Sequence, residues 1–253
     1  MRPRPRTTWP SGRPLSGGRQ GSAFVKVIAP YYDILFLPER EQVLALVEAA
    51  GRTCYKSEHL ISSDSAPEFV RRIVASGHHS VIEHANLSVR FVCDRGVTHE
   101  LVRHRLAAFS QESTRYANYA QDRFGSQITV IKPMFWPESS EAYRLWEAAM
   151  ASAEKAYLEL LAGGAKPQEA RAVLPNSLKT EIVMTANLRE WRHVLGLRSS
   201  KAAHPQIRQI MLPLMGELAE RLPEFFADLA EKYAEDIAAF ASGPAALGSP
   251  EAA

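Results

Sequence analysis

Three arginines, one histidine, one carboxylate and three aliphatic hydroxyls crowd into the fourteen residues from Arg103 to Tyr116 (RHRLAAFSQESTRY). A guanidinium keeps its charge at any physiological pH, and its planar fork binds phosphate or carboxylate through two parallel hydrogen bonds. Arg103, Arg105 and Arg115 therefore suit a phosphorylated or otherwise anionic ligand. Gln111, Glu112, Ser113 and Thr114 add polar groups to orient it. The spacing predicts a helix over residues 96–107 that passes into a polar loop. On that helix Glu100, Arg103, His104 and Ala107 share one face, while Val97, Leu101 and Ala108 share another. The plainer alternative is a solvated basic face continuing into a surface loop.

Three other segments carry chemistry-bearing side chains. His78-His79-Ser80-Val81-Ile82-Glu83-His84 is dense in nitrogen, hydroxyl and carboxylate groups. It reads either as a turn with satisfied imidazoles or as a ligand-binding segment. Zinc-protease spacings are missing from it. Arg171 lies in EARAVLP, on a short helix that Pro175 ends; taken alone it is a surface charge. Asn187–Arg198 (NLREWRHVLGLR) reads as an amphipathic helix with Trp191 and Leu195 inward, carrying Arg189, His193 and Arg198. The two cysteines, Cys54 and Cys93, stand far apart and outside any CxxC pattern, so they read as core or subsurface residues of a protein in a reducing cytosol.

These residues must be positioned by elements that the pattern suggests. Helices are predicted at 39–50, 66–76, 140–162, 205–221 and 223–240, and strands at 85–92, 128–133 and 178–186. In the first strand Ala85, Leu87, Val89 and Phe91 alternate with more polar neighbours, as a half-buried strand requires. The interleaving lacks a regular βαβ rhythm, so the expected fold is α+β: a single mixed domain with an antiparallel sheet and long helices. No GxGxxG loop is present, so any nucleotide cofactor must be held by side chains. Residues 1–22 and 241–253 read as disordered tails around a domain at 23–240. At 253 residues with a net charge of +2, no global field points to nucleic acid or a membrane, and no apolar run reaches the ~20 residues of a membrane span.

RHR followed by seven residues and a serine resembles the signature of the flavin-dependent thymidylate synthases, and Ser113-Thr114-Arg115-Tyr116 resembles its continuation. The segment His78–His84, the ARxxLP stretch at Arg171 and the run Asn187–Arg198 resemble that family's other motifs, in the same order. The resemblance implies that family's fold and reductive methylation of dUMP to dTMP. It implies FAD as cofactor, with NADPH and methylenetetrahydrofolate as co-substrates. It further implies a cytoplasmic homotetramer with active sites where subunits meet. Carried over residue by residue, His78, Ser80, Arg103, His104, Arg105, Gln111, Asn187, Arg189 and His193 would hold the cofactor. Glu100, Arg103, Gln111, Glu112, Ser113, Thr114, Arg115, Arg171 and Arg198 would hold the nucleotide, with Arg198 acting on the pyrimidine. Gln111 stands where many members carry Glu, and Glu100 where many carry Gln. No role is assigned to Ala203–Arg208.

That chemistry suits the residue types. Reduced flavin delivers hydride, so the protein needs no nucleophile of its own, and its contribution is electrostatic. Ser113 has no His–carboxylate pair placed by sequence to activate it, and reads as a hydrogen-bonding group. Two other classes stay open at this level. One is a nucleic-acid-binding protein using the RHR helix with Tyr116 and Tyr119; the other is a metal-dependent hydrolase built on His78–His84.

Overall fold

A computed structural model of the protein describes residues 25–121 and 124–241. Of the expected tails at 1–22 and 241–253, all but Ala241, which closes a helix, lie outside the described residues. Among the described residues six strands are formed: β1 (Lys26–Ile28), β2 (Tyr31–Phe36), β3 (Asn86–Asp94), β4 (Ala107–Gln111), β5 (Thr129–Ile131) and β6 (Lys179–Asn187). The helices are α1 (Arg40–Tyr55), α2 (Ser65–Ala75), α3 (Arg95–Leu101), α4 (Glu141–Ala162), α5 (Pro167–Ala170), α6 (Leu188–Arg198), α7 (Pro205–Arg221), α8 (Pro223–Lys232) and α9 (Ala234–Ala241).

β2, β3, β6 and β4 pair in that order into one antiparallel sheet. β3 and β6 form its centre, in register from Asn86 opposite Asn187 to Asp94 opposite Lys179. Alternation sorts their side chains. Leu87, Val89, Phe91 and Cys93 with Ile182, Met184 and Ala186 are buried on one face, under Trp191, Leu195, Met211, Leu214 and Phe225 from the helices. The opposite face carries Ser88, Arg90, Glu181 and Thr185, with the Ser88 and Thr185 hydroxyls bonded across the strands at 2.8 Å. The sheet is thus covered on one side and polar on the other, the usual condition of an antiparallel sheet. The expected α+β, antiparallel architecture is what the chain adopts. A second, two-stranded sheet of β1 and β5 is parallel and sits over a smaller core around Ile128, Tyr157 and Leu178.

Four expectations are corrected. The helix predicted over 96–107 ends at Leu101, and residues 107–111 instead join the sheet, with Phe109 opposite Met184. A twelve-residue window cannot tell an i, i+3 stripe from a short helix followed by an edge strand; the free edge of β6 decides it. The helix predicted over 223–240 breaks at Tyr233, whose hydroxyl donates to the Gly196 carbonyl at 2.9 Å. β1 and β2 were not foreseen, because Tyr31–Phe36 lacks clean alternation. Finally, Cys93 is a core residue as expected, but Cys54 is exposed.

One buried ionic contact locks α1 and α2 to α8. The Glu224 side chain is closed off from solvent and accepts from Arg40 Nε at 3.0 Å, from Arg40 Nη2, and from Arg71 Nη2 at 3.1 Å. Burial pushes its carboxyl up, but the hydrogen bonds from Arg40 and the charges of both arginines outweigh that and hold it below the ordinary 4.5. Glu224→Ala should cost about 1–3 kcal/mol in chemical denaturation, less than a fully buried pair because both arginines reach solvent. The depressed pKa fixes the pH dependence. The stability gap between the parent and Glu224→Gln should be full above pH 4.5 and close as pH falls through the lowered pKa. Thermal unfolding of both proteins across that window checks it.

Candidate active site

Helix α6 begins where Asn187 ends β6, its side chain accepting the Glu190 amide at 2.9 Å as an N-cap. Trp191, Val194 and Leu195 are fully buried, and Arg198 follows them on the same side by i+3 and i+4 spacing. The apolar stripe therefore drives the guanidinium toward α3 and the turn behind it. There Arg198 Nε donates to His104 Nε2 at 2.9 Å, Nη1 to Glu100 Oε2 at 2.8 Å, and Nη2 to the Glu100 carbonyl at 2.9 Å. A guanidinium has five N–H groups, so two remain for a ligand.

His104 itself is buried, at 4% exposure. Burial, then the Arg198 charge and His193, push its pKa down to about 4. It is neutral at physiological pH, and its Nε2 must carry the lone pair that Arg198 uses. Nδ1 then bears the proton and faces Glu190 Oε1 at 3.5 Å. His193 is exposed and meets His104 edge to face, with ring centroids 5.5 Å apart. His104, Glu190 and His193 are close enough together to suggest a metal site. However, a protonated Nδ1 offers a metal no lone pair, and freeing Nδ1 would remove the acceptor that holds Arg198.

A second group of expected residues collects around the turn after α2, beside the start of α6. Helix α2 closes with Gly77 at φ +73°, where a left-handed backbone is cheapest for glycine, and the His78 amide returns to the Ile73 carbonyl. This cap turns the chain into a 3-10 helix over His79–His84. His78 and Ser80, with Arg189 from the first turn of α6, line a concavity of about 350 Å³ that Cys54 and Tyr55 also border. Arg189 is tethered by an ion pair to Glu83. Imidazole, hydroxyl and guanidinium donors around a concavity suit the heteroatoms and phosphates of a nucleotide cofactor. The volume lies near the small end of ligand pockets, enough for part of a dinucleotide.

The third group lies at the polar face. A cavity of about 510 Å³ is bordered by Arg90, Gln111, Glu112, Ser113, Tyr116 and Lys179. Its own charges are already matched: Arg90 pairs with Asp33 and Glu181, and Lys179 with Glu112 and Glu181. Both Glu112 oxygens are taken, by Lys179 and by the Tyr119 hydroxyl at 2.9 Å. Gln111 turns to the helix side, its amide donating to Thr98 at 3.0 Å and Thr180 at 3.3 Å. Thr114 is buried and accepts from Arg171 Nη1 at 3.5 Å. Arg171 and Arg115 are exposed, the latter against the Tyr116 ring.

The model of the family described as "Thymidylate synthase complementing protein" matches residues 38–224. A flavin-dependent thymidylate synthase of Mycobacterium avium is 35% identical over 224 residues, covering 81% of this chain and 85% of that protein. One of Pyrococcus furiosus is 34% identical over 178 residues, covering 70% and 72%. The chain belongs to the flavin-dependent thymidylate synthase family. The fold agrees with solved structures at 21% identity. A UMP/dUMP methylase PolB of Streptomyces cacaoi superposes with a TM-score of 0.67 over 83% of this chain and 97% of that one. Thymidylate synthase X of Helicobacter pylori, solved with FAD and dUMP, superposes at 0.63 over 79% and 98%.

Against that family frame, the structure brings the carried-over residues into three groups. Glu100, His104, His193 and Arg198 meet at the end of α6. His78, Ser80 and Arg189 line the concavity at the Gly77 cap, and Asn187 caps α6 two residues before Arg189. Gln111, Glu112, Ser113, Thr114, Arg115 and Arg171 follow the end of β4. Arg103 and Arg105 are exposed on the turn between α3 and β4, with Arg103 Nε on the His99 carbonyl at 3.2 Å. Two of these residues have polar partners within the chain. The ring nitrogens of His104 face Arg198 and Glu190. Glu112 holds Lys179 on one oxygen and the Tyr119 hydroxyl on the other. Glu190 and Lys179 were missed; Glu190 reads in sequence as an ordinary first-turn carboxylate, and only its burial against His104 reveals more.

The pKa of His104 yields a test of this arrangement. Between its ordinary 6.5 and about 4, the unfolded chain binds a proton at this residue that the folded chain does not. Its contribution to stability is therefore intact above pH 6.5 and lost as pH falls toward 4, by at most about 1.4 kcal/mol per pH unit. His104→Gln, which keeps an acceptor for Arg198 but cannot titrate, should flatten that part of the pH–stability curve. An unchanged slope would show that His104 is not held neutral.

Proposed function

We propose that this chain methylates dUMP to dTMP, with FAD as its cofactor, NADPH as reductant and methylenetetrahydrofolate as the one-carbon source, in the cytosol. The observation that carries the reading is the guanidinium of Arg198, fixed by three bonds in a partly buried place with two N–H groups to spare. Methylation at carbon 5 of uracil requires electron density there. A rigid cation against the ring's imide edge favours the ionised imide and raises that density, and it acts more strongly in a partly dry site than in water. FAD, when bound and reduced by NADPH, would supply the hydride. His78, Ser80 and Arg189 would hold the cofactor, while Arg103, Arg115 and Arg171 would hold the nucleotide phosphate. Ser113 would orient the nucleotide through a hydrogen bond.

The same reading includes a homotetramer with shared sites. Each group of site residues in one chain is partial, and the cofactor concavity suits only a fragment of a dinucleotide. Leu106 and Tyr116, exposed at 77% and 75%, flank the arginine turns and give a second copy apolar surface to pack on. Within this reading, Glu100, Arg103 and Arg198 of one copy face Ser113, Arg115 and Arg171 of another.

An NADPH-dependent tritium-release assay on dUMP labelled at carbon 5 tests the reaction; no FAD-dependent release would end the proposal. Roles separate in kinetics. Arg171→Ala should raise KM for dUMP by about tenfold per 1.4 kcal/mol of uniform binding lost. Arg198→Ala should lower kcat by about 10²–10³, as for a lost oxyanion-type donor, and Arg198→Lys should recover little. Co-refolding Arg198→Ala with Arg115→Ala should restore activity in about a quarter of the sites, if each site joins two copies at random. No restoration in mixed oligomers would place both residues in one chain's site.

A further inference from the structure

Glu190 is buried, at 7% exposure, in the first turn of α6. A glutamate at this position often reaches back to the backbone N–H of the N-cap residue. Here the Asn187 side chain accepts the Glu190 amide, but the reciprocal bond is not made among the described residues. The Glu190 carboxylate turns instead to His104 Nδ1, at 3.5 Å. His104 Nε2 in turn accepts from Arg198 Nε at 2.9 Å.

An imidazole that accepts at one nitrogen must donate at the other while it stays neutral, and a carboxylate beside Nδ1 selects that tautomer. The opposite tautomer would point an N–H at the Arg198 N–H and set a lone pair against Glu190. Both contacts would be repulsive in a site with little water. We propose that Glu190 is a positioning residue for the reaction: it fixes the His104 tautomer and thereby the orientation in which Arg198 offers its two spare N–H groups. This rests on the reading of Arg198 as the group that acts on the pyrimidine. The same logic operates where a buried carboxylate holds a catalytic imidazole in one tautomer, and losing it there slows turnover while the geometry stays intact.

The chain Glu190–His104–Arg198 joins α6 to itself through the turn after α3. A residue that merely supported the helix start would affect stability, but its effect would be independent of Arg198. A positioning residue acts only through Arg198, so the two effects must not multiply.

The test uses the FAD-loaded oligomer, with kcat and KM for dUMP from tritium release. Glu190→Ala should lower kcat by about tenfold or more, with KM changed by less than about threefold. Glu190→Gln should recover most of that loss, because its carbonyl oxygen still accepts the Nδ1 proton. On an Arg198→Ala background, Glu190→Ala should cost nothing further. In flavin-free protein labelled with ¹⁵N-histidine, His104 should show the Nδ1–H tautomer in the parent and gain the Nε2–H form in Glu190→Ala. Multiplying effects in the double variant, a glutamine variant as slow as the alanine one, or an unchanged tautomer would each overturn the inference. Should Arg198→Ala keep normal kcat, the functional reading falls and this inference with it. A slow Arg198→Ala beside a normal Glu190→Ala removes the inference alone.

Discussion

A cation that is to act on a ligand has to be held firmly without being neutralised, and the contact between Arg198 and His104 meets both conditions. If a second carboxylate took the place of His104, it would bind Arg198 more tightly but cancel its field. A protonated histidine would repel it. A neutral imidazole accepts one N–H, adds no charge, and fills the space that water would otherwise occupy. Burial keeps it neutral, by lowering its pKa to about 4. Glu100 contributes the one formal counter-charge, and its carbonyl the remaining bond. The cost of such a contact is rigidity in the surroundings. The apolar stripe of α6, the cap at Asn187 and the tight turn after α3 all serve to keep two side chains, far apart in sequence, within hydrogen-bond reach.

The same sheet that supports this contact also divides the candidate site. β6 runs for nine residues, roughly 30 Å at the rise of an extended strand. Its Asn187 end opens α6 and leads to Arg189 beside the cofactor concavity. Its Lys179 end meets Glu112 and the loop that carries Ser113 and Arg115. The sheet's two faces separate the groups further, with Arg198 on the helix side and Glu112 on the polar side. In the proposed assembly, complementary groups from two copies would complete each site.

Much of this was legible in the sequence, and the part that was not has physical reasons. Long periodic segments were read within a few residues: α4, α7, β3 and β6 have burial patterns that repeat often enough to identify their period. Trp191 and Leu195 were placed inward for the same reason. The stretch after Leu101 was misread because Ala107–Gln111 is a strand only by virtue of the free edge of β6, which no local pattern reports. Site residues were legible through motif order, but their partners were not. His104 sits between Arg105 and Arg103 in a basic run, and nothing nearby in sequence says that it is buried. Its neighbours, Glu190 and Arg198, come from the far side of the sheet in chain order. Burial and tautomer are properties of packing, and packing brings together residues that the sequence keeps apart.

The pairing of the arginines separates those that build the fold from those that are free to bind. Arg40, Arg90 and Arg192 each hold a carboxylate and tie one element to another, and Arg52 holds Glu48 within α1. Arg103, Arg105, Arg115 and Arg171 have no acidic partner within ion-pair distance among the described residues, and all four are exposed. An arginine already matched by a carboxylate has little attraction left for a phosphate, whereas an unmatched one keeps its field and all of its fork. Arg72 and Arg95 show that lack of an acidic partner alone is not enough: one lies over the Phe69 ring, the other beside Tyr119. What sets the four apart is their place: Arg103, Arg105 and Arg115 lie on turns and Arg171 opens a single turn of 3-10 helix, where the backbone carries them clear of the core. With a net charge of only +2, the pull on an anion would come from such local, unmatched guanidinium groups and not from a global field.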